Sequence, residues 1–475
     1  MNIARVMRAE WRRFVAHPVY RWIVLALGLL LLASAIWTGH GVRGYRAEVT
    51  ALQAQWSDSY EKAVAAAAKH PAANRTEGAK AALAAHALGR GELAPTRLPA
   101  TGALVLGLQQ YQILPTAVRG TVESRYTDGR VTGPLTNPWL SRTGLPGFPA
   151  IIVLLVPLAA LALTAGVVQE DREQGIWRLV CAQCNVGLGR VFAVALALRW
   201  AVVFGVAALC SACAFALDAG AAWVLFAQWW FALGVFTAFW VLAGGALSLL
   251  PISSGAALIG ALGLWLTLTF AVPAALAWKA ERETPMPSRL TAIVELRAVQ
   301  QDAEEREAEL LRAWYARHPG DQPGMGMAPS QPTWPVTFMP RFDELERRMR
   351  PLMREFERVR VAQSVHAEKG AWLSPPLALM LLADRLAGID AQRHARYMEA
   401  VDQFEDRWRG FFMPRIMAYR GATAIDLADL PVFEQREAAQ IDQVAPQKAM
   451  PWQLLLSCAV VAILAILGRS ALVRP

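Results

Sequence analysis

Long apolar runs without acidic residues recur six times along this chain, and they are its strongest structural pattern. A run of about 20 such residues is the length that an α-helix needs to cross a bilayer. Tryptophans at several run ends fit the membrane interface, where the indole ring is favoured. The pattern predicts six transmembrane helices. The predicted spans are residues 22–38, 150–168, 191–217, 221–250, 256–278 and 450–468.

Composition supports a membrane protein and excludes several other classes. The 475 residues are 55% hydrophobic and 18% charged, whereas a soluble chain is about 45–50% apolar and about 25% charged. Such a chain is too apolar to be disordered. Five cysteines in 475 residues cannot form the dense disulfide framework of a secreted scaffold.

The distribution of charge predicts an orientation. The basic N-terminal segment, residues 1–21, carries five arginines and one glutamate, and the tail, residues 469–475, carries two arginines. Because short basic segments stay on the cytoplasmic side, both termini are predicted to be cytoplasmic. Most of the basic excess in these cytoplasmic segments is then a topological signal, and the net charge of +9 is not the footprint of a nucleic-acid partner.

Two long regions are left on the extracytoplasmic side, residues 39–149 and 279–449. The first has helix-prone stretches at 43–69 and 77–90, and its remainder, 100–148, is expected to be irregular or partly extended. The second has charged helical patterns at 290–318, 341–368 and 390–412. The predicted fold class is therefore an all-α membrane protein with six transmembrane helices and two largely helical extracytoplasmic domains. The second region is either a solvated helical hairpin or a platform for a partner.

The loop after the second span, residues 169–190, is longer and more charged than a simple connector requires. A charged turn, a glycine and then apolar positions predict a short helix along the membrane interface. A polar connector is the alternative interpretation. The residues singled out here are Glu170, Asp171, Arg172, Glu173, Gly175, Ile176 and Leu179.

This loop resembles the cytoplasmic segment E-x-x-x-G-T/I-x-x-L of the ABC-2 type permeases, the membrane subunits of ABC transporters. Gly175, Ile176, Leu179 and the later Arg190 match, while Asp171 stands at the family's Glu position. The resemblance implies a coupling helix that docks on a separate ATP-binding subunit. It also implies a second permease subunit, as a homodimer or a related heterodimer, in a bacterial inner membrane.

A second resemblance lies in the later extracytoplasmic region. The segments Leu373–Pro376 and Leu386–Asp390, followed by His394, resemble a permease subgroup that contains the domain of unknown function DUF3526. That subgroup reads A-G-T-D where this chain has Ile389 before Asp390. The resemblance supports the permease interpretation but implies no substrate.

The sequence predicts no enzyme, no metal site and no cofactor in this chain. It contains no G-x-x-x-x-G-K-S/T motif, so ATP and Mg²⁺ are expected on the partner subunit. The Cys210/Cys213 pair lies in an apolar span with no nearby histidine, while Cys181/Cys184 could in principle bind a metal or undergo redox cycling. Both pairs are interpreted as small apolar helix residues. The expected partners are an ATP-binding subunit, a second permease and membrane lipid.

Charged and small residues inside the spans leave two questions open. Arg199 lies inside the third span, where it either extends towards the headgroups or faces the helix bundle as a functional residue. Gly255, Gly260 and Gly263 in the fifth span permit close helix packing, expected within the subunit in preference to a dimer seam.

Two functions fit these observations. The first is a permease that uses ATP hydrolysis on its partner to move a substrate across the membrane. The second is a mechanotransmitter or scaffold whose extracytoplasmic helices act on a periplasmic partner without transport. The shortage of charged residues within the spans favours the second function or an amphiphilic substrate for the first.

Overall fold

The computed structural model describes residues 3–69, 78–90, 93–128, 147–175, 188–323, 334–433, 441 and 451–468. These residues are almost entirely helical, with one sheet of two short strands. They form an apolar helix bundle and a polar extramembrane domain. Five helices are long and apolar enough to cross a membrane, and the apolar helix near the C-terminus is shorter.

The chain begins with two helices that meet at His17. Helix α1 spans Ile3–Ala16, and helix α2 runs without interruption over Pro18–Lys69. The first predicted span is thus only the initial part of a 52-residue helix that continues into the extramembrane domain. The sequence pattern predicts a span that ends near Thr38, because the hydrophobicity of the residues falls there. The backbone hydrogen bonding of the helix nevertheless continues to Lys69.

The first extramembrane region is built from short elements. Its irregular part contains the expected extended structure, since β1 pairs with β2 antiparallel, Thr96 lying opposite Val118. The elements are α3 (Gly78–Arg90), β1 (Pro95–Arg97), α4 (Leu108–Ile113), β2 (Ala117–Arg119) and α5 (Arg125–Asp128).

The helices of the apolar bundle follow in the chain. The charged residues expected to form a turn after span two lie in helix α7, and the interface helix predicted after Gly175 lies outside the described residues. A π-helical turn, Thr267–Ala271, joins α10 to α11 within one long apolar helix. The elements are α6 (Phe148–Thr164), α7 (Val167–Glu173), α8 (Leu188–Ala216), α9 (Trp223–Ser248), α10 (Ser254–Leu266) and α11 (Val272–Glu283).

The second extramembrane region is helical, as the sequence predicts. The expected helix 290–318 is divided at Arg306, and α15 adds a helix that the charge pattern did not indicate. The elements are α12 (Arg289–Glu305), α13 (Glu307–Arg317), α14 (Met339–Gly370), α15 (Pro375–Ala387), α16 (Ala391–Met417) and α17 (Ala424–Ala428). Helix α18, Trp452–Gly468, then returns to the bundle.

The two extramembrane regions share one hydrophobic core. Ala82, Ala85 and Val122 from the first region pack with Trp408 and Phe412 of α16. The buried Trp408 indole donates to the carbonyl of Gly89 at 2.8 Å, and the Tyr60 hydroxyl donates to the carbonyl of Leu427 at 2.9 Å. What the sequence separates into two domains therefore packs as one body, because neither region buries its apolar face alone.

The fifth candidate span lies at the edge of the bundle. A Cβ added at Gly255, Gly260 or Gly263 would meet no atom within 4 Å, and Ile259 is 75% exposed. The prediction that these glycines pack within the subunit is therefore wrong. Their open face is available to lipid or to another protein.

Candidate functional site

Helix α7 carries four of the residues that the sequence singles out after the second span: Glu170, Asp171, Arg172 and Glu173. Within it, the buried Gln169 donates from Nε2 to the carbonyls of Leu247 and Leu250, at 3.0 and 3.3 Å. These carbonyls lie at the C-terminal end of α9, where they also accept backbone N–H groups from Leu250 and Ile252 respectively. Gln169 therefore fixes α7 to the end of the fourth span.

Asp171 binds a residue near the start of the chain. Its carboxylate accepts two hydrogen bonds from the Arg13 guanidinium, and the contact from Nη1 to Oδ2 is 3.0 Å. Asp171 is 4% exposed, while the Arg13 side chain is 42% exposed. A bidentate arginine–carboxylate pair fixes both distance and orientation. It joins α7 to α1.

Glu173 forms the third link, to the beginning of the fifth candidate span. Its carboxylate accepts from the Ser254 backbone N–H at 2.8 Å and from the Ser254 hydroxyl at 2.7 Å. The neighbouring Ser253 caps the same helix by accepting from the Ala256 N–H. An acidic side chain at a helix N-terminus is favoured by unsatisfied N–H groups and by the helix dipole.

Gly175 ends the described part of this segment with a φ of +71°, in the left-handed region. A Cβ there would meet no atom within 4 Å, so the conformation and not crowding requires glycine. Glu170 and Arg172 lie on α7 between the fixed positions. Ile176 and Leu179 lie outside the described residues, as do Cys181 and Cys184.

Arg199 is buried inside the bundle, with 1% of its surface exposed. Its Nε donates to the carbonyl of Leu163 at 2.8 Å, and its Nη1 donates to the carbonyl of Ala195 at 2.9 Å. The Glu10 carboxylate lies 3.8 Å away. A buried charge is tolerated where it is paired and hydrogen-bonded, and the end of α6 supplies an acceptor here.

Sequence reasoning missed three residues of this site: Glu10, Arg13 and Ser254. Glu10 and Arg13 lie on α1, which was interpreted only as a basic segment. Buried Val6 and Phe14, eight residues apart, lie on the face of α1 that contacts the bundle. This periodic pattern is the signal that could have revealed an amphipathic helix and its bundle-facing side.

The segments around Ser374 and Asp390, which resemble the DUF3526 subgroup, have a structural role. Ser374 caps α15 by accepting from the Leu377 N–H, and its hydroxyl donates to the carbonyl of Leu268 at 2.6 Å. Gly388 has a φ of +73°, and a Cβ there would lie 2.5 Å from Thr101. Asp390 caps α16, and Arg393 donates to the carbonyl of Pro99 at 2.9 Å. The motif thus joins the second region to the bundle and to the first region.

Within the described residues, no group of three or more His, Cys, Asp or Glu side chains is arranged to hold a metal ion. Cys210, Cys213 and Cys458 are free thiols there. The arrangement around α7 contains ion pairs and helix caps. This arrangement can transmit a displacement of α7 to the helices to which it is bonded.

Five helices long and apolar enough to cross a membrane indicate a multi-pass helical membrane protein. Comparison with known families adds one finding: residues 289–436 match the family described as Domain of unknown function (DUF3526). This match covers α12 to α17 and not the bundle or α7. No curated protein and no solved structure matches the chain.

Proposed function

We propose that this chain is the membrane-spanning permease subunit of an ABC transporter, with ATP hydrolysis on a separate subunit. The observation that carries the proposal is the position of α7. It forms the end of the candidate span Phe148–Glu173 and is bonded to α1, to the end of α9 and to the start of α10. A docking protein that displaced this segment would act on all three at once.

The segment has the composition that a docking site for a soluble partner needs. Glu170 and Arg172 lie between the residues that fix it, and Gly175 turns the chain at its end. Hydrogen bonds from Gln169, Asp171 and Glu173 attach α7 to its neighbouring helices. A partner protein can therefore exert a force on α7 without unfolding it. The resemblance of this segment to the coupling helix of ABC-2 permeases points the same way.

The far end of the bundle offers a route to the extramembrane domain. The guanidinium of Arg46 on α2 donates to the Asp218 carboxylate, with one contact at 3.0 Å, and to the carbonyl of Thr101. Asp218 follows the third candidate span, and Thr101 belongs to the extramembrane domain. Movement of α8 or α2 would therefore be passed directly to that domain.

In this proposal the chain has six spans, with α18 as the sixth, and both termini in the cytoplasm of a bacterial inner membrane. Helix α18 has 17 residues, about 26 Å at 1.5 Å per residue, near the lower limit for a span. ATP and Mg²⁺ are bound by the partner subunit, because this sequence has no phosphate-binding motif of that class.

A mechanotransmitter that acts on a periplasmic partner is the second candidate. The burial of Arg199 favours it, since this charge is already engaged by the carbonyls of Leu163 and Ala195 and by Glu10. A guanidinium satisfied in this way is not free to bind a passing solute. Both candidates require the same ATP-binding partner and differ in whether a substrate crosses.

The test is co-expression with candidate ABC-type ATP-binding proteins. We expect one of them to co-purify with this chain, and its ATP hydrolysis to change when this chain is present in proteoliposomes. Failure to associate with any ATP-binding protein would refute both candidates. Substrate-dependent hydrolysis with measurable transport would support the permease, whereas hydrolysis that responds only to a periplasmic protein would support the mechanotransmitter.

A further inference from the structure

Helix α1 presents three different faces. One face contacts the bundle: Val6 and Phe14 are buried, Glu10 lies beside Arg199, and Arg13 is bonded to Asp171. These contacts fix how the helix is rotated about its own axis. Its other two faces must therefore point away from the bundle in a defined way.

The second face is apolar and exposed. Met7, Trp11 and Val15 recur at a spacing of four residues, which places them on one side of a helix. They are 48%, 49% and 40% exposed. In water this face would be costly, and it is where an interfacial helix meets acyl chains.

The third face is basic. Arg5, Arg8 and Arg12 are exposed and lie beside the apolar face. Within the described part of the chain no acidic side chain pairs with any of the three. They present an uncompensated charge of about three positive units.

The position of α1 is set by the helix that follows. After His17 the chain enters α2, whose apolar portion begins at Trp22, 71% exposed. Tryptophan at the start of an apolar helix marks the headgroup region. Helix α1 therefore lies at the depth of the lipid phosphates, with its apolar face towards the acyl chains.

We propose that α1 is a binding site for anionic phospholipid, in which Arg5, Arg8 and Arg12 bind headgroup phosphates while Met7, Trp11 and Val15 insert among acyl chains. Each arginine near an anionic surface strengthens binding by about fivefold. The apolar face selects a lipid over free phosphate, since a free anion would leave Trp11 in water. Lipid bound on two faces holds the third face, and thus Arg13, against Asp171.

Lipid binding does not depend on the proposed function, and its test uses no ATP-binding partner. The full chain is placed in nanodiscs of phosphatidylcholine alone or mixed with phosphatidylglycerol, and amide hydrogen exchange is measured over residues 3–16. We expect exchange to be slower by at least about tenfold with phosphatidylglycerol. High salt should remove most of this difference, because it screens charges at a surface.

Three variants make the result specific. Replacing Arg5, Arg8 and Arg12 together by Gln should abolish the difference between the lipids, whereas replacement by Lys should retain it. A control with the same loss of charge, Arg289, Arg297 and Arg312 replaced by Gln on α12 and α13, should behave as the parent chain. These arginines are exposed and lie far along the chain from α1.

Equal exchange in the two lipids, or an unchanged difference in the Gln variant, would overturn the proposal. Slowing by inorganic phosphate in phosphatidylcholine nanodiscs would also overturn it, since it would identify a simple anion site. Melting of the Gln variant in phosphatidylcholine, compared with the parent chain, shows whether its fold is intact. If it does not fold, the Lys variant and the salt titration still decide the question.

Discussion

Arg13 and Asp171 are 158 residues apart in the chain and form a bidentate ion pair at one end of the bundle. The pair connects an interfacial helix to the segment that follows the second span. Asp171 is buried, and Arg13 is partly open to solvent. This relationship makes α1 part of the candidate coupling site.

Reversal of one charge in this pair should release α1. We expect Arg13→Asp to place two carboxylates together and to destabilise the detergent-solubilised chain by about 1–2 kcal/mol, a figure reduced for the exposure of Arg13. The double variant Arg13→Asp/Asp171→Arg should recover at least half of this loss. Thermal unfolding measures it, and Arg297→Asp at an exposed position of α12 is the control. No recovery in the swap would show that the pair contributes nothing.

Any side chain at position 175 should weaken the coupling between this chain and its ATP-binding partner. Because its φ is +71°, Gly175→Ala forces the chain out of its turn or costs about 1–2 kcal/mol. We expect weaker association with the ATP-binding partner, measured by co-purification. Gly255→Ala is the matched control, since Gly255 is helical with open space around it and alanine is favoured there. Equal behaviour of the two variants would contradict the role given to Gly175.

Arg199 should be coupled energetically to Glu10. Arg199→Leu leaves the Glu10 carboxylate and the Leu163 carbonyl without their partner, and loss of one member of a buried pair costs about 3–5 kcal/mol. Glu10→Gln added to that variant should restore part of the stability. We expect a coupling of at least about 1 kcal/mol in the double-mutant cycle by thermal unfolding. Strictly additive losses would argue that the two side chains act independently.

Glu405 should make the extramembrane domain sensitive to pH. Burial raises the pKa of this carboxyl to about 7 from its ordinary 4.5, although Arg125 and Arg409 each lie 3.3 Å away. Between those pKa values the folded state holds a proton that the unfolded state has released. Stability therefore falls as the pH rises from about 4.5 to 7, by up to ~3 kcal/mol.

The variant Glu405→Gln isolates this contribution. Removing the carboxyl costs the contacts with Arg125 and Arg409 at every pH, so the slope and not the absolute stability is informative. We expect the stability of Glu405→Gln, relative to that of the parent chain, to increase as the pH rises from 4.5 to about 7. Glu399→Gln, at an exposed position of the same helix, should show no such gain. Parallel pH profiles for Glu405→Gln and the parent chain would refute the prediction.

The open face of the fifth candidate span should meet a second copy of this chain if the permease is a homodimer. Two-fold symmetry pairs the same face of each copy at such a seam, and residues close to the axis contact their own counterparts. In a chain whose own cysteines are replaced, we expect Ile259→Cys to form an intermolecular disulfide in membranes. Ala261→Cys, buried against the bundle, should not. If no position along this face forms a cross-link, the face contacts lipid and not a second copy of the chain.

Sequence reasoning was most successful where hydrophobicity alone decides the structure. It located the apolar helices and the segment around Asp171, because a run without charges or a charged break after it is a local property. It also indicated the DUF3526 region from the residues around Asp390, which the family comparison supports. Whether the α7 residues couple to an ATP-binding subunit stays a prediction.

The remaining features depend on contacts between distant parts of the chain. Nothing near Asp171 indicates that its partner is Arg13, and nothing near Trp408 indicates that it bonds to Gly89. The merging of the two extramembrane regions follows from such pairs. The open glycines of α10 were misjudged for a related reason, since small residues permit close packing without specifying which surface approaches.

The continuous course of α2 has a mechanical consequence. About 30 of its 52 residues lie beyond the apolar portion, which corresponds to about 45 Å of helix. If the helix tilts as one body by about 5°, its distal end near Lys69 moves by about 4 Å, on the basis of that length. Helix α2 would therefore act as a lever arm that converts a small angular change in the bilayer into a displacement large enough to open or close a contact outside it.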